Sequence, residues 1–226
     1  MQKRYTPDEA FVVVKELLTE AYKGAPRAIP EKVIRDVAQA HIAPNRFYHY
    51  LSHPVDMFET GRNIIASMTP ADREMIRVPE LYGMIAHHDV FCEPGRKDNE
   101  ERSATWAKRD AENVELGIDY TKCVSAGINA TKNHKLGDIP LSWSYTIGLL
   151  LDLDLKGLGG TQEEFAESTE LVWQEYQHFV DRPRFNEGRR AWAQQFLDGR
   201  KRIFQTKYLA HLEPWAIINM TRLARG

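Results

Sequence analysis

The feature that most constrains this chain is a helix-opening signature written four times: an oxygen-bearing residue followed, three positions later, by an acid. It stands at Thr6-Pro7-Asp8-Glu9, Thr69-Pro70-Ala71-Asp72, Asp98-Asn99-Glu100-Glu101 and Thr161-Gln162-Glu163-Glu164. In each, the first side chain can accept from the orphan N–H groups of a first helical turn, and the acid faces the positive end of the helix dipole. After Thr6, residues Phe11, Val14, Leu17, Leu18 and Ala21 recur at helical spacing and mark one buried stripe. After Thr161, residues Phe165, Leu171, Val172 and Tyr176 do roughly the same. No alternating apolar and polar stretch is bounded by the Asn-Gly or Asp-Gly turns of hairpins. The expected fold is an all-α helical bundle.

With 226 residues, 42% of them hydrophobic, the chain has enough apolar surface to build the core of one domain. Its 30 Lys+Arg against 32 Asp+Glu argue against a nucleic-acid-coating or polyacidic protein. Cys92 and Cys123 are its two cysteines and form no CxxC pair. A disulfide framework and a cysteine-built structural zinc site are therefore excluded, and a reducing cytoplasm fits best. The opening residues MQKRYTPDEA lack the apolar stretch of a secretory signal, and no run approaches the roughly 20 apolar residues of a membrane span. A soluble cytoplasmic protein with no membrane partner is expected. Loops are expected at residues 23–26, 42–45, 92–95, 137–140 and 157–160, none long enough to link separate domains.

Histidines are the chemically informative residues. They cluster as His49 with His53, as His87 with His88 and Asp89, and as His134 ahead of Asp152 and Asp154. Pro54 biases His53 away from the helical region, which places His53 at a helix entrance. Leu81 to Ala86 should form a core helix running into His88. Neighbours on one helix point about 100° apart, so His88 and Asp89 can share a metal only where both directions border a cleft.

The separated set His53, His88-Asp89 and Asp154 resembles the H…HD…D signature of the HD superfamily of metal-dependent phosphohydrolases, whose fold is an all-α bundle. The flanking text is similar to that of a bacterial subfamily of predicted HD phosphohydrolases. Arg46-Phe47-Tyr48-His49-Tyr50-Leu51-Ser52-His53 resembles its R-x-Y-H-x-L-x-H element. His88-Asp89-Val90-Phe91 followed by Asp98-Asn99-Glu100-Glu101-Arg102-Ser103-Ala104 is similar to its HD-x-x-Y…DNExxSA element. Leu151 to Gly159 resembles its D-x-D-L-x-x-L-G element, and Glu213-x-x-Ala216-x-x-Asn219 looks like its last helix. The sequence departs from the pattern at His87, Phe91 and Pro54, where Phe, Tyr and an aliphatic residue are usual. The resemblance implies one domain over residues 1–226, with an HD core from about 46 to 160 and a helical extension from about 161 to 226.

That resemblance implies a divalent metal (Mn, Co, Ni, Zn, Fe or Mg) held by His53, His88, Asp89 and Asp154. Two imidazoles and two carboxylates suit such an ion while leaving positions open for water and phosphate. Asp152, two residues from Asp154, would point about 200° away on a helix and is either an alternative ligand, a residue orienting a ligand histidine, or a helix-surface group. His49 either contacts phosphate or makes a structural hydrogen bond, and Arg46 is a candidate bidentate phosphate clamp. Glu100 and Glu101 are candidate general acids or simply capping residues. His134 is a candidate contact to a second metal or to substrate, and Lys132 and Lys135 can add positive charge beside a phosphate. His87 reads as a packing or surface residue.

The expected activity is hydrolysis of a phosphate ester or anhydride, with a nucleotide or other small phosphorylated metabolite as substrate. Two alternatives stay open. One is an HD-type di-iron oxygenase; the other is a non-catalytic module that binds a metal or nucleotide. A homo-oligomer is also left open. The basic stretch from Arg182 to Arg202, interleaved with Phe185, Trp192 and Phe196, has the ingredients of a nucleic-acid surface. Its helical spacing and the interrupting Glu187 and Asp198 favour a packed helix with a solvated face, so nucleic acid is not an expected partner. Trp143, Trp173 and Trp215 are read as core residues.

Overall fold

The computed structural model describes residues 3–198 and 200–226, among which there are eleven α-helices and no strand. In chain order these are α1 (Pro7–Ala21), α2 (Glu31–His41), α3 (Ser52–Ser67), α4 (Pro70–Glu74), α5 (Val78–His87) and α6 (Asn99–Asn113). They are followed by α7 (Ile118–Thr131), α8 (Leu141–Asp154), α9 (Gln162–Tyr176), α10 (Arg182–Leu197) and α11 (Glu213–Arg225), with short 3-10 turns at Lys156–Gly159 and Ala210–Leu212. The all-α expectation holds. None of these helices is long and apolar enough to cross a membrane.

Three of the four helix-opening signatures act as caps. Thr6 with Glu9 and Thr161 with Glu164 close reciprocal capping boxes, and the Thr69 side chain accepts from the Asp72 backbone N–H. Asp98 does not cap α6. Its carboxylate instead receives two hydrogen bonds from the Arg96 guanidinium, at 2.8 and 2.7 Å, and the planar fork beside it outcompetes the backbone amides.

Two helices form the centre. In α5 every residue from Glu80 to His87 is buried, and in α8 every residue from Thr146 to Leu153 is. Such helices are apolar on all sides because neighbours surround them. Helix α5 packs against α1, α3, α6, α7 and α8. Burying Leu81, Met84 or Ile85 contributes about 1.5–3 kcal/mol each. A continuous hydrophobic cluster runs from Ala10 to Met220 and joins the first helix to the last.

The C-terminal segment is tied to α8 by polar hooks. Asp152 is fully buried, and its carboxylate accepts from Gln205 N at 2.5 Å, Thr206 N at 2.7 Å and Thr206 Oγ1 at 2.6 Å. Asn219 on α11 donates to the carbonyls of Leu158 and Gly160, both at 2.9 Å. Glu213 accepts from the backbone N–H groups of Ile203 and Phe204. The polar residues of the last helix thus serve docking.

Helix α10 buries Phe185, Ala193 and Phe196, and its arginines cover rings within the chain: Arg182 over Trp173, Arg189 over Trp192, with Arg200 beyond it over Phe196. This is the expected packed helix with a solvated face. Of the three tryptophans read as core, Trp143 packs against the core and Trp173 stacks on Phe185. Trp215 is 57% exposed, because it sits in the first turn of α11 on the side away from Ala216 and Met220.

Candidate metal centre

The two central helices end at the same place. The α5 ladder closes with His88 N donating to Met84 O at 2.8 Å, and the next residue, Asp89, lies beyond the helix end. At this helix end the two consecutive side chains reach each other, with His88 Nε2 3.0 Å from Asp89 Oδ2. The 100° separation expected of neighbours on a helix does not keep them apart. Asp154 is the last residue of α8. The carbonyl ends of both helices therefore face this region with their partial negative charge, which favours a cation.

His53 enters from a third direction, in the first turn of α3 ahead of Pro54, a position that tolerates proline because its N–H would be unpaired. His53 Nε2 lies 3.3 Å from His88 Nε2, 3.1 Å from Asp154 Oδ1 and 3.9 Å from Asp89 Oδ2. His88 Nε2 lies 3.8 Å from Asp154 Oδ1. Donors bound to one first-row cation at about 2.1 Å, with tetrahedral or octahedral angles, stand about 3.0–3.4 Å apart. The close pairs of this cluster match that spacing. His53, His88 and Asp89 offer donor atoms that all fall within 4.8 Å of one another. His88 directs Nδ1 at the Ile85 carbonyl, 3.1 Å away, which leaves Nε2 facing the cluster.

The electrostatics are those of acids gathered around imidazoles. Burial opposes a charge on His88, but the Asp89 and Asp154 carboxylates outweigh it and push its pKa up to about 9. Burial also opposes ionisation of Asp89 and Asp154. The neighbouring histidines more than offset this and hold both carboxyls well below their usual range.

His134 joins the cluster, with Nε2 donating to Asp154 Oδ2 at 3.0 Å. It adopts φ of +51°, the left-handed region that a non-glycine residue enters at a cost. Arg200 donating to the His134 carbonyl at 2.9 Å holds that turn. His53, Asp154 and Tyr48 line an open groove of about 1690 Å³ that extends past Lys156 to the exposed Trp215.

Other candidates sit elsewhere. Arg46 is no phosphate clamp: it is 5% exposed, and its guanidinium donates to the carbonyls of His49 at 3.1 Å, Asp89 at 2.5 Å and Val90 at 2.9 Å. Three of the fork's five donors go to chain carbonyls, and its burial keeps the group from an incoming substrate. The Asp152 carboxylate is engaged with Gln205 and Thr206 rather than with a histidine. Glu101 and Lys132 are exposed and paired with each other at 2.6 Å, and Lys132 also donates to the Lys97 carbonyl, so neither is free to serve the cluster. Glu100 is half-buried. Burial raises its pKa, and the nearby negative charges of Glu101 and Asp89 add to that rise.

His87 is buried, directing Nδ1 at the Gly83 carbonyl and Nε2 toward Tyr22 and Asp110, a packing role as expected. His49 makes the structural hydrogen bond, with Nδ1 donating to Glu175 Oε2 at 2.7 Å. Burial opposes its charge, but Cys92, Glu175 and Asp89 raise its pKa well above the ordinary value. Glu175 and Cys92 escaped the sequence reading. Nothing distinguishes Glu175 from the other acids of α9, whereas Cys92 follows the His-Asp pair closely enough to have been a signal.

Comparisons with protein-family models, with curated proteins and with solved structures find no match for this chain.

Proposed function

We propose that this protein is a metal-dependent phosphohydrolase acting on a phosphate ester or anhydride of a nucleotide or another small phosphorylated metabolite. The observation that carries the proposal is that His53, His88 and Asp89 hold donor atoms within 4.8 Å of one another at the meeting of helix ends, with Asp154 Oδ1 3.1 Å from His53 Nε2. The resemblance to the HD superfamily supports the same donor set. A divalent cation held there supplies water acidic enough to give hydroxide near neutral pH and offsets charge on phosphoryl oxygens.

The chain's own residues do the rest. His134 holds the Asp154 carboxylate in place. Glu100, whose burial favours its protonated form, is the candidate acid to deliver a proton to the departing oxygen. The groove beside His53 and Asp154 has room for the organic part of the substrate. The test is phosphate release from a panel of nucleotides and phosphate esters by the full chain with Mn²⁺, Co²⁺ or Ni²⁺. Release should be lost in His88→Ala and in Asp89→Ala; hydrolysis retained in both overturns the proposal.

One observation favours a second reading. Asp154 turns Oδ1 toward His53 and His88 and Oδ2 toward His134, an arrangement that suits a carboxylate shared by two ions. A two-iron oxygenase would hold about two irons per chain after aerobic purification and consume dioxygen. One exchangeable metal without oxygen uptake selects hydrolysis.

A further inference from the structure

A second group of reactive side chains stands next to the donor cluster. Cys92 Sγ, a His49 ring nitrogen and a Glu175 carboxylate oxygen all lie within 4.8 Å of one another. Glu175 is buried at 5% exposure; its Oε2 accepts from His49 Nδ1 at 2.7 Å, while its Oε1 accepts from the backbone N–H groups of Phe47 at 2.8 Å and His49 at 2.9 Å. With Nδ1 held by Glu175, the ring is oriented and Nε2 is the nitrogen left to exchange a proton with the thiol.

This is a nucleophile beside a base that a buried carboxylate orients, the logic by which thiols are activated on unrelated folds. A cation site is a poorer description of the group. Three hydrogen bonds from the segment that carries His49 already engage the Glu175 carboxylate, which makes it a weaker ligand for an ion. Cys92 is partly exposed in the loop between α5 and α6, within reach of small solutes. Cys123 is buried in α7, where burial pushes its thiol pKa up to about 12, so the chain contains an unreactive reference thiol.

We infer that Cys92, His49 and Glu175 form a reactive-thiol site that takes peroxides, converting Cys92 to a sulfenic acid beside the donor cluster. The thiol proton passes to His49, and the sulfur lone pair attacks one peroxide oxygen. The O–O bond breaks and hydroxide leaves, collecting the proton from His49 to become water. Sulfur is oxidised by two electrons and the peroxide is reduced by two. With Cys123 sealed in the core, no second thiol of the chain can resolve the product as an internal disulfide. The site is independent of whether the donor cluster hydrolyses phosphate.

The experiment exposes the reduced full-length protein to hydrogen peroxide in the presence of a 1,3-dione trap and maps the adduct by mass spectrometry. Cys92 should be trapped at least about tenfold faster than the thiol of glutathione at the same pH, with Cys123 untouched. His49→Asn should slow the reaction about tenfold, and Glu175→Gln should slow it too. Glu175 also holds the backbone of residues 47 and 49, so thermal melts check both variants, and the decision rests on His49→Asn, which leaves the backbone acceptors in place. A Cys92 no faster than glutathione, or a rate unchanged in His49→Asn, overturns the inference. Stoichiometric protection of Cys92 by zinc in His88→Ala, where the first cluster is broken, would identify a cation site and overturn it as well.

Discussion

Arg46 donates through its guanidinium to the main-chain carbonyl of Asp89, 43 residues away, and the same group holds the carbonyls of His49 and Val90. It thereby fixes the turn that carries Asp89 against the segment leading to His53. Removing it takes this donor from three carbonyls, that of Val90 in a buried bond and the other two in part-buried ones. Arg46→Ala should cost about 2–4 kcal/mol of stability. It should also weaken Mn²⁺ binding about 10–100-fold, the usual effect of losing a group that positions a ligand. Arg46→Lys should restore little, since an ammonium cannot reproduce the fork. Denaturant melts with metal titrations check both, and unchanged metal affinity in Arg46→Ala would show that the turn holds itself.

His134 is partly exposed and accepts backbone strain while its ring reaches Asp154. His134→Ala should keep the fold and lower metal affinity about 10–100-fold if the ring steadies Asp154. If two ions are bound, the same change should reduce the number of metals per chain from two to one. Metal analysis beside a binding isotherm separates these outcomes. Neither change appearing would detach His134 from the centre.

Asp152 and Asp154 stand two residues apart on α8 and do unrelated work. Asp152→Ala should destabilise the protein by about 2–4 kcal/mol through the loss of three buried hydrogen bonds, with metal stoichiometry unchanged. Asp154→Ala should do the reverse, abolishing metal binding at modest cost to the fold. Loss of metal in Asp152→Ala, with the fold intact by circular dichroism, would contradict this division.

His41 gives the protein an acid-sensitive point. It is buried, with Nε2 donating to the Ala86 carbonyl at 2.9 Å, and burial, helped by the positive charge of Arg46, lowers its pKa from 6.5 to about 3. The folded state keeps it neutral, whereas the unfolded chain takes up a proton below pH 6.5. Its contribution is therefore complete above that pH and is lost progressively as the pH falls toward 3. His41→Gln retains a donor for Ala86 and should narrow the stability difference between about pH 7 and pH 5, measured by urea melts. An equal pH slope in variant and wild type would exclude His41 as a source of acid lability.

What could be read from the residues alone was what short-range chemistry decides. Thr6, Thr69 and Thr161 begin helices because a hydroxyl and an acid three residues on satisfy each other's neighbourhood, whatever the rest of the chain does. The all-α fold follows from such local instructions. The candidate donor set came from flanking residues, not spacing, since the gaps between His53, His88 and Asp154 carry no periodicity. Arg46 was misread because a guanidinium suits phosphate and carbonyl oxygens equally, and the choice depends on where the chain passes. Asp98 failed as a cap because Arg96 lies closer than the amides. Glu175 became visible only once folding brought it to His49, 126 residues away.

The buried carboxylate of Asp152 makes residues 161–226 more than an appendage. The last turn of α8 is bolted to the tail at Gln205 and Thr206, and two residues further on Asp154 meets His53 and His134. A chain shortened at residue 160 would leave the Asp152 carboxylate in the interior without its three donors, so the loss of the tail would be felt first as lost stability of α8.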